Sequence, residues 1–234
     1  MGSILCLETS SRACSVAVGQ DGDILSCCES EQENAHSSQL TTLIEAALAL
    51  ARIELPAIDA FAISMGPGSY TGLRIGVAAA KGFCYSLDKP LLSVSTLKSL
   101  AYSMREMTGD RKSLLCPMLD ARRMEVYTAL FDMSLNEIRQ VSAEIITEDS
   151  FAGFLSNTEV IFAGEGSAKC KPLIAHHKHA FFIDDLKLSA RFLYPLALEK
   201  FNAARFENLA YFEPFYLKDF VAGKPRVKGL GVGG

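Results

Sequence analysis

Residues 64–76 read Ser64-Met65-Gly66-Pro67-Gly68-Ser69-Tyr70-Thr71-Gly72-Leu73-Arg74-Ile75-Gly76. The apolar run 60–63 precedes them, and a helical pattern follows directly. Glycine lets the backbone approach a neighbour closely, and proline stiffens the turn. Ser69 or Thr71 can then cap the helix by accepting hydrogen bonds from its free N–H groups. The stretch therefore predicts a strand–turn–helix unit whose glycine-rich turn is a candidate site.

The composition is typical of a compact globular protein. The chain has 234 residues, of which 49% are hydrophobic and 21% are charged, enough for one large domain or two of about 100 residues. No apolar stretch reaches the roughly 18 residues of a membrane span, and the first residues lack the basic region of a signal peptide. Seven cysteines without a C-x-x-C pair are expected to be free thiols. These features together predict a cytoplasmic protein.

The charge distribution argues against a protein that holds nucleic acid by itself. The net charge is −4, and the longest basic run is Arg122-Arg123, whereas proteins that grip nucleic acid alone usually present a basic face. If this chain serves RNA chemistry, we expect a partner to hold the RNA. A further alternative is capture of tRNA by the basic, glycine-rich tail through Lys224, Arg226 and Lys228.

The predicted elements follow the same order twice. A strand at 4–7 ends on Glu8 and continues into a meander before any helix, and a strand at 114–119 ends on Asp120 and does the same. This order predicts an α/β fold of two ribonuclease-H-like units, as in actin-like ATPases, each with a mixed five-stranded sheet flanked by helices. We assign the units and tail to residues 1–109, to a smaller unit at 110–221 and to a flexible segment at 222–234.

The glycine-rich turn has two interpretations. N–H groups at the start of a helix favour anions, so the turn can cradle a phosphate. Its spacing misses the dinucleotide motif G-x-G-x-x-G by one residue, and the Gly-Lys-Ser/Thr of a P-loop is absent, so a turn that serves only packing stays open. The candidate contacts to a nucleotide or phosphate are Glu8, Thr9, Ser10, Gly66, Gly68, Ser69, Thr71 and Arg74.

The helix after the turn is apolar on two sides, so it must be buried on two sides. Small residues four apart give it a nearly flat face that another helix can approach. We expect one side to pack on the sheet and the other to contact a partner, although the chain's own first helix can also cover it. The predicted partner interface consists of Leu40, Leu43, Ile44, Ala47, Gly72, Leu73, Gly76, Val77 and Ala80.

Five motifs occur together in the order typical of one protein family. They are residues 66–76, Ser95-Thr96-Leu97, residues 120–127 (DARRMEVY), Gly164-Glu165-Gly166 and residues 213–218 (EPFYLK). On these motifs, spread over about residues 4–221, the chain resembles the bacterial TsaB (YeaZ) family. It departs from the family at Glu8, where Asp is usual, and at Tyr70, where Phe is usual. The longer Glu8 side chain argues against nucleotide or metal chemistry at the end of the first strand.

The resemblance implies a role in tRNA modification. It implies a non-catalytic partner of the paralogous enzyme TsaD in making threonylcarbamoyladenosine beside the anticodon of tRNAs that read codons starting with A, together with the ATPase TsaE. It also implies a heterodimer with TsaD in which the first two helices of the first unit form a four-helix bundle, with ATP or ADP a candidate ligand at the complex interface. Without TsaD, the same surface is expected to form a two-fold homodimer.

The histidines do not form a recognisable metal site. The catalytic paralogues bind a metal through H-x-x-x-H on the first-unit helix, whereas the corresponding region here contains His36 alone. The close spacing of His176, His177 and His179 is more typical of a solvated turn than of a set of metal ligands. We therefore predict no bound metal.

Two carboxylates end equivalent strands. Glu8 and Asp120 can face a cleft between the units, as the magnesium-positioning carboxylates of actin-like ATPases do, or they can cap turns. For Asp120, the neighbouring Arg122 offers a local ion pair. We predict a scaffold protein without catalytic residues, and the alternative is a stand-alone ATPase or M22-type peptidase with a degenerate actin-like site.

Overall fold

A computed structural model describes residues 2–30, 35–109 and 111–217, with the side chains of 35–38 left undescribed. The strands are β1 (Ser3–Glu8), β2 (Cys14–Gln20), β3 (Asp23–Ser30), β4 (Ala60–Gly66), β5 (Leu91–Ser95), β6 (Ser113–Asp120), β7 (Glu125–Phe131), β8 (Glu137–Ile145), β9 (Glu159–Ala163) and β10 (Ala180–Ile183). The helices are α1 (Ala35–Ala51), α2 (Tyr70–Leu87), α3 (Thr96–Thr108), α4 (Ala152–Leu155), α5 (Ser167–Ile174) and α6 (Leu193–Asn202).

The two sheets have the same topology. The first has the order β3-β2-β1-β4-β5, and the second, read from β8, has the order β8-β7-β6-β9-β10. In each sheet the first strand of the unit pairs antiparallel with the second and parallel with the fourth, as at Leu5↔Val18 and Cys6↔Ala62 in the first sheet. This repetition confirms the predicted fold of two ribonuclease-H-like units with mixed five-stranded sheets.

The elements are stacked in layers around buried apolar side chains. Helices α1 and α2 cover one face of the first sheet, where Ile44 and Val77 pack with Leu5 and Phe61. Helices α3 and α6 lie on its other face, and α3 also packs on the second sheet. Helices α4 and α5 complete the outer face of the second sheet. The central strand β1 is buried along its whole length because it is covered on both faces.

The C-terminal part of the chain returns to the first sheet. Helix α6 packs against β1, β4 and β5, the Glu207 N–H donates to the Leu91 carbonyl (2.9 Å), and the Phe215 N–H donates to the Met65 carbonyl (2.7 Å). Residues 190–217, which the sequence analysis assigns to the second unit, thus pack mainly on the first unit. Helical spacing shows that a helix has an apolar face, but it does not show which of two similar sheets that face will cover.

The strands predicted at 4–7 and 114–119 agree with β1 and β6 within one residue, but α5 is absent from the prediction. It begins directly after the motif Gly164-Glu165-Gly166 and contains Pro172, a residue that normally argues against a helix. Among the described helices, none is long and apolar enough to cross a membrane.

The seven cysteines are free, as predicted. Five are buried, and Cys27 and Cys28 on β3 are half-buried. Burial raises the pKa of the Cys14 thiol to about 11 and that of Cys84 to about 12. These two thiols therefore stay protonated near neutral pH and act as small apolar side chains.

Candidate functional site

The glycine-rich turn packs tightly against two other segments. Gly66 has φ +114°, and a Cβ there would lie 2.5 Å from the Phe215 carbonyl oxygen. A Cβ on Gly68 would lie 2.7 Å from Cβ of Ser10, and the Ser69 N–H donates to the Ser10 carbonyl at 2.6 Å. The first two glycines of the turn therefore serve close backbone packing, one of the two interpretations that the sequence left open.

Helix α2 begins as predicted at Ser69. The Ser69 Oγ accepts a hydrogen bond from the Gly72 N–H at 3.3 Å, while Thr71 is exposed on the first turn. Arg74 donates to the Tyr70 hydroxyl at 2.8 Å, and its guanidinium lies 5.4 Å from the centroid of that ring. Arg74 therefore packs along the surface of its own helix rather than pointing into the turn.

Glu8 is sealed inside the first unit. Its Oε1 accepts hydrogen bonds from the Ser10 N–H (2.7 Å), the Ser10 hydroxyl (2.5 Å) and the Ser64 hydroxyl (2.9 Å), and the residue is 0% exposed. Its Oε2 and the buried Thr9 Oγ1 have no hydrogen-bond partner among the described residues. Glu8 and Thr9 are both 0% exposed, so neither side chain reaches a surface at which the predicted nucleotide contact could form.

Burial of Glu8 raises the pKa of its carboxyl above the ordinary value of 4.5, although the serine hydrogen bonds partly lower it. Because the folded state then binds this proton more tightly than the unfolded state, Glu8 contributes stability below pH 4.5 that is lost as pH rises through the folded pKa.

We expect Glu8→Gln to remove the loss of stability that burial of the Glu8 carboxylate causes as pH rises. From about pH 4.5 upward, the variant should gain stability relative to the parent chain, with a slope of at most about 1.4 kcal/mol per pH unit because one proton is involved. Urea unfolding at several pH values measures the difference between the two chains. An identical pH profile for parent and variant would contradict the buried, proton-retaining carboxyl.

A cleft of about 620 Å³ lies between the two units. Its first wall contains the loop after β1 and the start of α2, and its second wall contains the β6–β7 turn and Glu165. Four of the predicted phosphate contacts line it: Ser10, Gly68, Ser69 and Thr71. The other four, Glu8, Thr9, Gly66 and Arg74, are not among its lining residues.

Asp120 lies in this cleft and holds the β6–β7 turn. Its Oδ1 accepts from the Arg122 backbone N–H at 2.8 Å and from Lys169 Nζ at 2.5 Å. The predicted ion pair with the Arg122 side chain is therefore wrong, since Arg122 contributes its backbone and Lys169 contributes the charge. Burial alone would raise the pKa of Asp120, but the hydrogen bonds from Lys169 and Arg122 hold it below its ordinary value.

Lys169 was not predicted as a site residue, because it lies on the unpredicted helix α5. Its ammonium also donates to the carbonyls of Arg123 and Glu125, both at 2.7 Å. Arg122 and Arg123 have φ values of +71° and +51°, which costs roughly 1 kcal/mol or more for each non-glycine residue. The three bonds from Lys169 offset this cost and keep both arginines at the edge of the cleft.

The histidine cluster at 176–179 bonds to the backbone. The His177 Nε2 lies 3.2 Å from the Glu148 carbonyl oxygen, and the His179 Nδ1 lies 2.8 Å from that of Leu155. The described part of the chain contains no group of three or more His, Cys, Asp or Glu side chains placed to hold a metal. The His36 side chain and the tail at 222–234 fall outside the described residues.

The predicted partner interface needs correction at the level of residues. Of its nine members, only Leu43 is half-buried. The other eight are buried inside the chain's own core: Leu40, Ile44, Ala47, Gly72, Leu73, Gly76, Val77 and Ala80. The small-residue face of α2 approaches strand ends and not a second helix, because a Cβ on Gly76 would lie 2.8 Å from Ile63 Cδ1 and closer still to Thr9 Oγ1.

Other residues of the same helices face outward. On α2, Ala78, Gly82 and Tyr85 are exposed, and Tyr85 is 84% exposed. On α1, Ala49 and Leu50 are exposed, the latter by 67%. We call these five residues the outer face. The 3.6-residue period of α2 would have placed Ala78, Gly82 and Tyr85 on one side of the helix. The prediction instead selected the more apolar sides of the helix, whose residues the core buries.

Comparison of the chain with known proteins identifies its family. The family model described as "TsaD: tRNA N6-adenosine threonylcarbamoyltransferase" matches residues 24–234. The chain is 28% identical to the Escherichia coli (strain K12) "tRNA threonylcarbamoyladenosine biosynthesis protein TsaB", over 94% of this chain and 96% of that protein. The chain belongs to the TsaB (YeaZ) group of the TsaD family. TsaB of Bacillus subtilis (strain 168) is 32% identical over 59% of each chain. The solved structure "YeaZ from Pseudomonas aeruginosa" is 25% identical, with a TM-score of 0.75 over 93% of this chain and 100% of that chain.

The motifs that resemble the TsaB family converge on the cleft. Residues from the glycine-rich turn, from DARRMEVY, from Gly164-Glu165-Gly166 and from EPFYLK all line it. The remaining motif, Ser95-Thr96-Leu97, contacts the glycine-rich turn, since the Thr96 Oγ1 accepts a hydrogen bond from the Gly66 N–H at 3.2 Å. Segments that are far apart in the TsaB sequence are therefore neighbours in space.

Proposed function

We propose that this chain is a non-catalytic scaffold subunit in tRNA threonylcarbamoyladenosine biosynthesis. In this proposal it forms a heterodimer with TsaD in the cytoplasm and works with TsaE in threonylcarbamoyl transfer to the adenosine next to the anticodon of tRNAs that read codons starting with A. Its membership of the TsaB group supports the pathway, because the related proteins are named for that biosynthesis. The tRNA would be held through the complex.

The observation that carries the partner proposal is the outer face of α1 and α2. Its small residues Ala78 and Gly82 lie one turn apart, with the large exposed side chains of Tyr85 and Leu50 available as anchors. Small residues let a partner helix approach closely, and exposed aromatic and aliphatic side chains supply most binding energy in interfaces. In the absence of TsaD, this face is also the expected contact of a two-fold homodimer.

The state of the two strand-end carboxylates supports a non-catalytic role. Glu8 is fully buried and its Oε1 is occupied by three hydrogen bonds. Asp120 is paired with Lys169 and caps the β6–β7 turn. Both groups stabilise local structure, the role that sequence analysis set against magnesium positioning.

The direct test combines co-purification with a modification assay. We expect the chain to form a stable complex with TsaD, and tRNA modification by TsaD and TsaE to drop to background when this chain is left out. Modification that proceeds equally well without it would contradict the scaffold role. If the purified chain alone hydrolysed ATP or a peptide, and Asp120→Asn abolished that turnover, the stand-alone enzyme would be supported instead.

A further inference from the structure

A turn at residues 208–212, in the part of the chain that returns to the first unit, is closed by Asn208. The Asn208 Oδ1 accepts hydrogen bonds from the N–H groups of Ala210 (3.1 Å) and Tyr211 (3.3 Å). The Asn208 carbonyl accepts a further bond from the Phe212 N–H (2.9 Å). Asparagine side chains commonly fix turns in this way, so the backbone of the 208–212 turn is held by its own hydrogen bonds.

The 208–212 turn is also attached firmly to the first unit. Phe212 is buried and Leu209 is half-buried, and both pack in the apolar cluster that α1 and α2 form with the first sheet. Lys81 of α2 adds polar contacts, because its Nζ donates to the carbonyls of Phe212 (3.1 Å) and Ala210 (3.4 Å). Apolar packing and hydrogen bonds therefore fix the turn against α2.

Tyr211 is the aromatic side chain that this turn leaves in solvent. It is 84% exposed, while the next residue, Phe212, is buried. Tyrosine has only two side-chain torsions, so it offers a large contact area at a small cost in conformational entropy. Exposed aromatic side chains on a fixed backbone are typical anchors of protein interfaces.

The 208–212 turn adjoins the outer face of α1 and α2. Lys81 lies three residues after Ala78 and four before Tyr85, so the three residues share one side of α2. Lys81 bonds to the carbonyls on both sides of Tyr211. Tyr211 therefore continues the outer face beyond the helices, and a partner helix seated on Ala78 and Gly82 would lie beside it.

We propose that the 208–212 turn is part of the surface that binds TsaD, with Tyr211 as an anchor and Lys81 as the residue that positions it. The inference rests on the proposed function, because it takes TsaD as the occupant of the outer face. It adds a non-helical segment to that interface.

The first test measures the affinity of the full chain for TsaD. We expect Tyr211→Ser to raise Kd about tenfold or more and to leave the midpoint of urea unfolding unchanged, since the ring is exposed. The control Met107→Ser changes a side chain that is 61% exposed on α3, on the other face of the first sheet, and should leave Kd unchanged. A Tyr211 variant that binds like the parent chain would overturn the inference.

Lys81→Met tests the positioning role, because it removes both hydrogen bonds to the turn and keeps an unbranched side chain. We expect weaker binding of TsaD by Lys81→Met and partial recovery in Lys81→Arg. Adding Lys81→Met to Tyr211→Ser should cause no further loss, because Lys81 acts through Tyr211. Additive losses would contradict the positioning role of Lys81.

Photo-cross-linking separates this inference from the proposed function. Benzoylphenylalanine in place of Tyr211 should cross-link to TsaD, and the same group in place of Met107 should not. If Ala78→Arg abolishes pairing while the Tyr211 derivative captures no TsaD, the turn lies outside the interface and the proposed function stands. If the parent chain forms no complex with TsaD, both proposals are wrong. Cross-links only between copies of this chain would overturn TsaD as the occupant.

Discussion

Gly76→Ala is expected to destabilise the protein by about 1–3 kcal/mol, the usual cost of forcing extra volume into a packed interior. The added methyl group would lie 2.8 Å from Ile63 Cδ1 and closer to Thr9 Oγ1, and both neighbours are 0% exposed at the ends of central strands. Neither strand end can retreat without disturbing the pairing of β1 with β4. A larger residue such as valine should cost more.

Gly82→Ala in the same helix is the matched control. A Cβ at Gly82 would have no heavy atom within 4 Å, and alanine is a better helix former than glycine by about 1 kcal/mol. We therefore expect Gly82→Ala to raise the midpoint of urea unfolding and Gly76→Ala to lower it. Equal stability of the two variants would show that α2 does not contact the sheet at Gly76 as described.

The close packing around Gly76 also changes the role that this residue can have in partner binding. Sequence analysis places Gly76 in the partner interface, and a bulky residue there would then abolish pairing and leave the fold nearly intact. The structure predicts that the fold itself suffers, because the space beside Gly76 is filled by the chain's own strands. Loss of pairing in a Gly76 variant would therefore be an indirect effect of unfolding.

Ala78→Arg is expected to abolish pairing with TsaD while leaving stability within about 0.5 kcal/mol of the parent, as is usual for exposed positions. Ala78 is exposed on α2, one turn before Gly82, and belongs to the outer face. A long cation there would hold a partner helix away and would have to be desolvated on binding, so we expect affinity to fall about 100-fold or more.

The control for Ala78→Arg is Ala168→Arg, which places the same side chain at an exposed position on α5. Both variants are compared by co-purification with TsaD, by the affinity of the complex and by circular dichroism. We expect the Ala168 variant to pair like the parent chain. If the Ala78 variant also pairs like the parent, the outer face of α2 is not the TsaD contact, and the proposed interface is wrong.

Local patterns predicted the elements and their order well. The strand expected at 4–7 spans Ser3–Glu8, the helix expected after the glycine-rich turn spans Tyr70–Leu87, and Ser69, one of the two expected caps, caps that helix. These features depend on side-chain periodicity and on hydrogen bonds within a few residues, both of which can be read along the chain. The duplicated order of strands and helices was enough to predict two units with the same topology.

Contacts between distant segments could not be predicted in this way. Lys169 and Asp120 are 49 residues apart, and helix α6 covers the sheet of the other unit. The apolar character of α2 was identified correctly, but the residues chosen for a partner contact are buried by the chain's own core, because an apolar pattern shows that a face will be buried without showing what buries it.

The linear sequence thus specified the repeated α/β units, the glycine-rich turn and the family, since each is recognised from short local patterns and from their order along the chain. Tertiary packing alone showed that Glu8 is sealed, that Gly76 faces the sheet and that Arg122 and Arg123 meet the start of α2 across a cleft. Each of these facts depends on which segments become neighbours after folding. The packing of the whole hydrophobic core determines those neighbours, and local sequence patterns do not.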